Sequence, residues 1–253
     1  MLIRFRCLAT VLAGAALLAS GPVQSATALV AVAANFNEAF GDLSSDFTSF
    51  TGHVLTHTTA ATGVLGAQIR SGAPFEVLLA ADVETPKQLV ADGLAVESQR
   101  FTYALGRLVL WSTHRNLVDD RGVVLMQGGF SHVAIANPKL APYGRAAMDV
   151  LSSMKLKAQL ADKLVIGQSI AQAYGYVASG SADLGFVAWS QVTKQAQRQR
   201  GSYWLVPPSM YGEIRQDAVL LKAGAESPAA LAFLAYLKSE AARRIIRAHG
   251  YAI

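Results

Sequence analysis

The chain has 253 residues, 52% of them hydrophobic, with a single cysteine and a formal charge of +5 at neutral pH. That length supplies one or two domains and a core that needs no crosslinks. The basic residues are scattered rather than clustered, which argues against a nucleic-acid surface. The five histidines (His53, His57, His114, His132 and His249) lack His-Glu-x-x-His spacing, and one cysteine cannot build a structural zinc site.

Arg4 and Arg6 precede the apolar run Cys7 to Ala19, and small residues follow at Ser20, Gly21, Ser25, Ala26 and Ala28. This is the order of a secretory signal peptide, assigned here to residues 1–26. The run is well short of the roughly 20 residues of a spanning helix. No cysteine closes it, so no lipid anchor is expected. Removal of Arg4 and Arg6 lowers the formal charge from +5 to +3, and removal of Cys7 leaves a cysteine-free exported protein that relies on its core.

Leu29 to Ala34 reads as a buried strand that delivers Asn35 to a helix start. Phe36, Phe40, Leu43, Phe47 and Phe50 then fall on one helical face, with Asn35 as N-cap, Glu38 completing a capping box and Gly52 as C-cap. His53 to His57 is a second strand carrying two exposed histidines, and Thr62 caps the next helix beside Gly63. The Thr62-Gly63 turn is not a nucleotide P-loop, because the Gly-Lys-Ser/Thr ending is missing. Glu76 to Ala81 is a third strand, Asp82 caps the turn after it, and Thr85-Pro86 opens a helix that closes at Gly93. Strands alternating with helices imply a parallel sheet whose ligands bind beyond the carboxyl ends of the strands.

A second series follows. Arg107 to Trp111 and His132 to Ala136 are strands, Asn137 to Gly144 leads into a helix over 145–154, and Lys163 to Ile166 is a strand before the helix Ile170 to Ser179, capped by Ser169. Ala182 to Ala188 is a strand, Trp189 to Gln197 a helix, and Asp217 to Leu221 a strand. Ser227-Pro228 and Ser239 open two last helices, the second ending at Gly250.

Gly167-Gln168-Ser169-Ile170-Ala171 after a strand has the outline of a nucleophile elbow. Ser169 with His249 would make a secreted serine hydrolase, but neither Asp183 nor Asp217 is marked as the orienting carboxylate, and no catalytic residue is assigned. Four strand-to-helix junctions remain, at Asn35, Thr62, Tyr143-Gly144 and Ser169-Ile170. Helix N-termini converging on one point offer N–H donors to a fully ionised tetrahedral oxyanion, which only accepts hydrogen bonds.

In order along the chain stand Ala33-Ala34-Asn35-Phe36, Ala61-Thr62-Gly63-x-x-x-Ala67-Gln68-Ile69, Gly72-Ala73-Pro74, Ala80-Ala81-Asp82, Asn137-Pro138-x-x-Ala141-Pro142-Tyr143-Gly144 and Ala182-Asp183-Leu184-Gly185-Phe186-Val187. This pattern resembles the periplasmic molybdate-binding proteins of ABC importers across essentially the whole mature chain. The resemblance implies an α/β, two-lobed periplasmic binding protein of type II, each lobe a mostly parallel sheet flanked by helices, with the ligand in the cleft. Lobe 1 would comprise residues 27–105 and 216–253, and lobe 2 residues 106–215.

By position, Asn35 would donate from side chain and backbone, Thr62 from hydroxyl and backbone, and Tyr143 and Ile170 from backbone N–H. Some members carry a tyrosine ligand where Ala188 stands and serine where Asn35 stands. In the Asn-Phe and Pro-Tyr-Gly subgroup, which fits better, the asparagine amide would replace that hydroxyl. The implied ligand is molybdate, with tungstate beside it and sulfate or another tetrahedral oxyanion as the alternative. No other cofactor and no bare cation is implied. The implied partners are a membrane permease and its cytoplasmic ATPase, with the protein a monomer in the periplasm.

Overall fold

The computed structural model describes residues 25–197 and 200–253, so the expected leader lies outside the described residues except for Ser25 and Ala26. The chain runs β1 (Thr27–Ala33), α1 (Asn37–Thr51), β2 (Val54–Ala60), α2 (Thr62–Arg70), β3 (Val77–Leu79), α3 (Glu84–Ala91), β4 (Phe101–Gly106), β5 (Leu108–Ser112), α4 (Val124–Gln127), β6 (Val133–Ala136) and α5 (Pro142–Ser153). It continues through α6 (Lys157–Leu160), β7 (Leu164–Gly167), α7 (Ile170–Ala178), β8 (Leu184–Ala188), α8 (Trp189–Gln197), β9 (Ser202–Leu205), β10 (Ile214–Leu220), α9 (Pro228–Leu237) and α10 (Glu240–Ala248).

The strands form two five-stranded sheets, ordered β2-β1-β3-β10-β4 and β7-β6-β8-β5-β9. In the first, β1 is parallel to β2 and β3, while β10 is antiparallel to both β3 and β4. In the second, β6 is parallel to β7 and β8, while β5 is antiparallel to both β8 and β9. Four of the five strands in each sheet therefore point one way. The exceptions, β5 and β10, are the strands by which the chain enters one lobe from the other. Two lobes built on this plan constitute the type II arrangement.

Each face of the first sheet has its own core. Phe36, Phe40, Leu43 and Phe47 pack with Phe233, Leu234 and Ile246 on one side, and Leu65, Ile69 and Leu89 cover the other. Phe233 sits edge-on to Phe40 and Phe47, with ring centres 5.8 and 5.5 Å apart. The helical spacing of the phenylalanines holds as far as Phe47. Phe50 is 81% exposed, at the rim of the seam between α1 and the last two helices.

Several caps lie where the sequence puts them. Ser169, Ser227 and Ser239 accept from the N–H groups of Gln172, Ala230 and Ala242, Asp82 accepts from Thr85 N, and Gly52 ends α1 with φ +75°. Two do not. A 3-10 turn over Ala34–Phe36 precedes α1, whose N-cap is Phe36, so the Asn35–Glu38 capping box does not form. Thr62 is the first residue of α2 rather than its cap. In both cases a buried side chain found a buried partner, and such pairs are hard to break where no water can substitute. His53 is likewise buried, with Nδ1 accepting from Ala26 N, whereas His57 on β2 is exposed.

Strands β4 and β9 were not expected from the sequence, and β10 begins at Ile214 rather than at Asp217. Phe233→Ala should destabilise the protein by about 3–5 kcal/mol, because it empties the centre of an aromatic cluster that cannot collapse. Urea unfolding would show this as a lower midpoint with an unchanged slope.

Candidate functional site

Four segments begin where strands of both sheets end: the 3-10 turn after β1, and α2, α5 and α7 after β2, β6 and β7. All four expected residues, Asn35, Thr62, Tyr143 and Ile170, line one cavity together with Ala33, Ala34, Ala61, Ala81, Ala141 and Pro142. Each of the four is at most 4% exposed. The cavity measures about 10 Å³, about the room that a single water needs. Pockets for organic ligands are typically about 300–1,000 Å³.

No charged side chain lines this cavity. Thr62 and Ile170 are the first residues of their helices, where an N–H group has no acceptor within its own helix. Pro142 opens α5 and has no N–H, so Tyr143 carries the first donor of that helix. The alanines keep the walls low enough for backbone to reach a guest. Thr62 Oγ1 accepts from Ala81 N at 3.0 Å, which leaves its own hydroxyl hydrogen for another acceptor.

Asn35 behaves differently from the expectation. Its Nδ2 donates to Gln216 Oε1 and to the Tyr251 hydroxyl, both at 3.0 Å, so both amide hydrogens have partners behind the cavity wall. Its carbonyl accepts from Tyr251 at 2.8 Å and from Ser190 at 3.1 Å. The side chain therefore anchors the turn. Ala188 does not line the cavity; its N–H donates to Gln191 Oε1 at 3.0 Å.

Gln216, Tyr103, Tyr251 and Ser190 were missed in the sequence. They lie in or beside β10, β4, the C-terminal segment and α8, and no local motif distinguishes them. Burial pushes the Tyr103, Tyr143 and Tyr251 hydroxyls well above the ordinary phenol range, so all three stay protonated.

Both lobes touch across the site. Gly63 N donates to Leu140 O at 2.9 Å, and Arg145 pairs with Asp82 at 2.9 Å. Beside that pair is a larger cavity of about 450 Å³, lined by Asp82, Glu84, Asp149 and Glu213 as well as Arg145 and Arg215. Its four carboxylates make it a poor host for an anion. The Ser169 and His249 pairing does not occur: Ser169 Oγ accepts from Gln172 N, and His249 Nε2 lies 2.7 Å from Asp42 Oδ2. Asp217 pairs with Arg100 and accepts from Thr102, and Asp183 accepts from Ser131 N and His132 N.

The family model described as bacterial extracellular solute-binding protein matches residues 28–252. The chain is 50% identical to the molybdate-binding protein ModA of Azotobacter vinelandii over 95% of both chains. It is 48% identical to ModA of Rhodobacter capsulatus over 91% of this chain and 90% of that one. The solved periplasmic molybdate-binding protein of Azotobacter vinelandii superposes with a TM-score of 0.87 at 40% identity, over 89% of this chain and 99% of that one.

Gly106 is the last residue of β4, where a Cβ would press on the Tyr143 hydroxyl and come within 2.6 Å of Gln216 Nε2. Gly106→Ala should cost about 1–3 kcal/mol, read as a lower thermal midpoint. Gly41→Ala, on the open face of α1 with nothing within 4 Å of the added carbon, should be neutral or stabilising by up to about 1 kcal/mol.

Proposed function

The chain belongs to the bacterial extracellular solute-binding proteins, and on that premise we propose that it captures molybdate between its lobes and delivers it to an ABC importer. The observation that carries this reading is the convergence of four strand-to-helix turns on a small cavity without a charged side chain. A tetrahedral dianion there accepts from the backbone N–H groups of Asn35, Thr62, Tyr143 and Ile170 and from the Thr62 hydroxyl. The positive ends of α2, α5 and α7 supply the balancing field. Tungstate, of the same charge and shape, binds at the same donors. Sulfate has the same hydrogen-bonding character and is rejected by its smaller size, while a protonated phosphate lacks an ionised side chain to accept its proton.

Lobe 1 comprises residues 27–105 and 216–253 and lobe 2 residues 106–215, with hinge closure about the two crossings. The Gly63–Leu140, Ser190–Asn35 and Arg145–Asp82 contacts then form as the lobes meet. The protein works in the periplasm as a monomer, handing its ligand to a membrane permease driven by a cytoplasmic ATPase, and carries out no catalysis and needs no cofactor. Among the described residues no helix is long and apolar enough to cross a membrane.

Calorimetric titration of the mature protein with molybdate, tungstate, sulfate and phosphate tests the reading. Tight one-to-one binding of the first two with sulfate silent is expected, and sulfate binding with molybdate silent would overturn the ligand. Thr62→Val should weaken molybdate binding about 10- to 100-fold, since a hydrogen bond to a charged group is lost. Affinity should change less than about threefold between about pH 6 and pH 8.5, because the phenols around the site remain protonated throughout.

A further inference from the structure

Gln216 does not line the cavity, yet it touches a residue of each lobe that does. It is fully buried, on the strand that returns from lobe 2, where the β10–β4 register shifts between Gln216 and Asp217. Its Oε1 accepts from Asn35 Nδ2 at 3.0 Å, and its Nε2 donates to the Tyr143 hydroxyl at 3.3 Å. The Tyr103 hydroxyl lies between Gln216 Oε1 at 3.2 Å and the Ala80 carbonyl at 3.1 Å, and so braces the amide from β4. At the end of β4, Gly106 leaves room for both the amide and the Tyr143 ring.

We infer that Gln216 is a positioning residue for the anion site: a neutral, two-sided amide that fixes the Asn35 turn of lobe 1 against the Tyr143 turn of lobe 2. The inference rests on the oxyanion reading above. The site needs this particular chemistry. An acceptor must meet the Asn35 amide and a donor must meet Tyr143, and one side chain between them has to do both. A carboxylate could accept from Asn35, Tyr103 and Tyr143 alike, but it would put a negative charge directly behind a bound anion. An aliphatic chain would leave the Asn35 amide without one of its two acceptors and free the turn to rotate. Gln216 meets both demands without a charge.

The titratable groups that face this position are the phenols of Tyr103 on β4, Tyr143 on α5 and Tyr251 near the C-terminus. The adjacent Asp217 is paired with Arg100, and Asp82 with Arg145. A glutamate at 216 is therefore the group whose charge would change in the accessible pH range, because burial and a neighbouring anion both favour its neutral form.

The test is calorimetric titration of molybdate into the wild type, Gln216→Glu and Gln216→Leu at about pH 6 and pH 8.5. Gln216→Glu should bind about 100-fold more weakly at the higher pH and recover about tenfold at the lower one, while Gln216→Leu should lose about tenfold at both. Affinities within about threefold of wild type in both variants overturn the inference. Equal, pH-independent losses in both variants indicate packing alone and also overturn it. Should neither variant fold, Tyr143→Phe reads the same link from lobe 2, with a loss of about three- to tenfold expected and unchanged affinity counting against the inference. A wild type that binds molybdate beside unaffected variants removes only this inference, whereas a wild type that binds none removes the functional reading with it.

Discussion

Three helices and a 3-10 turn begin inside this molecule, and a helix start buried without acceptors is costly. Thr62, Tyr143 and Ile170, at the starts of α2, α5 and α7, are buried around one small cavity. In the proposed function, a guest that only accepts hydrogen bonds would relieve all of them at once. The sheet order follows from the same demand: parallel strands bring successive helix starts to one edge of each sheet, and the two edges face each other.

Holding four donors on one point requires rigid turns, and the rigidity comes from behind the cavity. Asn35 is tied by its amide to Gln216 and Tyr251 and by its carbonyl to Tyr251 and Ser190. Thr62 is tied through Ala81. These bonds join segments far apart in the chain. Of these bonds, the one from Ser190 crosses the cleft, and the others lie within the first lobe. The alanines of the first lobe, Ala33, Ala34, Ala61 and Ala81, pack into the core cluster of the second, which keeps the wall around the donors dry.

Neutral donors have a consequence for selectivity. A lysine or arginine in the cleft would attract every anion, and its long side chain would adapt to many sizes. Backbone N–H groups at helix starts cannot move without moving the helices. In the proposed site, size would thus become the discriminating property, and the charge needed to hold a dianion would be distributed over helix dipoles rather than placed on one residue.

The two β/α series and the four junctions were legible in the sequence, because each is a local signal: the spacing of phenylalanines up to Phe47, serine caps before Gln172, Ala230 and Ala242. The four residues that line the small cavity were legible as junction residues as well, since a strand running into a helix start is itself a local pattern. What only tertiary structure decided is how two of them are used. Asn35 and Thr62 carry the side chains that cap helices, and nothing near them in sequence competes for those side chains. In the fold, Gln216, Tyr251 and Ala81 do compete, and a buried polar group takes the partner it can reach away from water over the one water could replace. Strands β4 and β9 escaped for a related reason: short segments become strands when a neighbouring edge is there to pair with, and β10 and β5 provide those edges only once both lobes have formed.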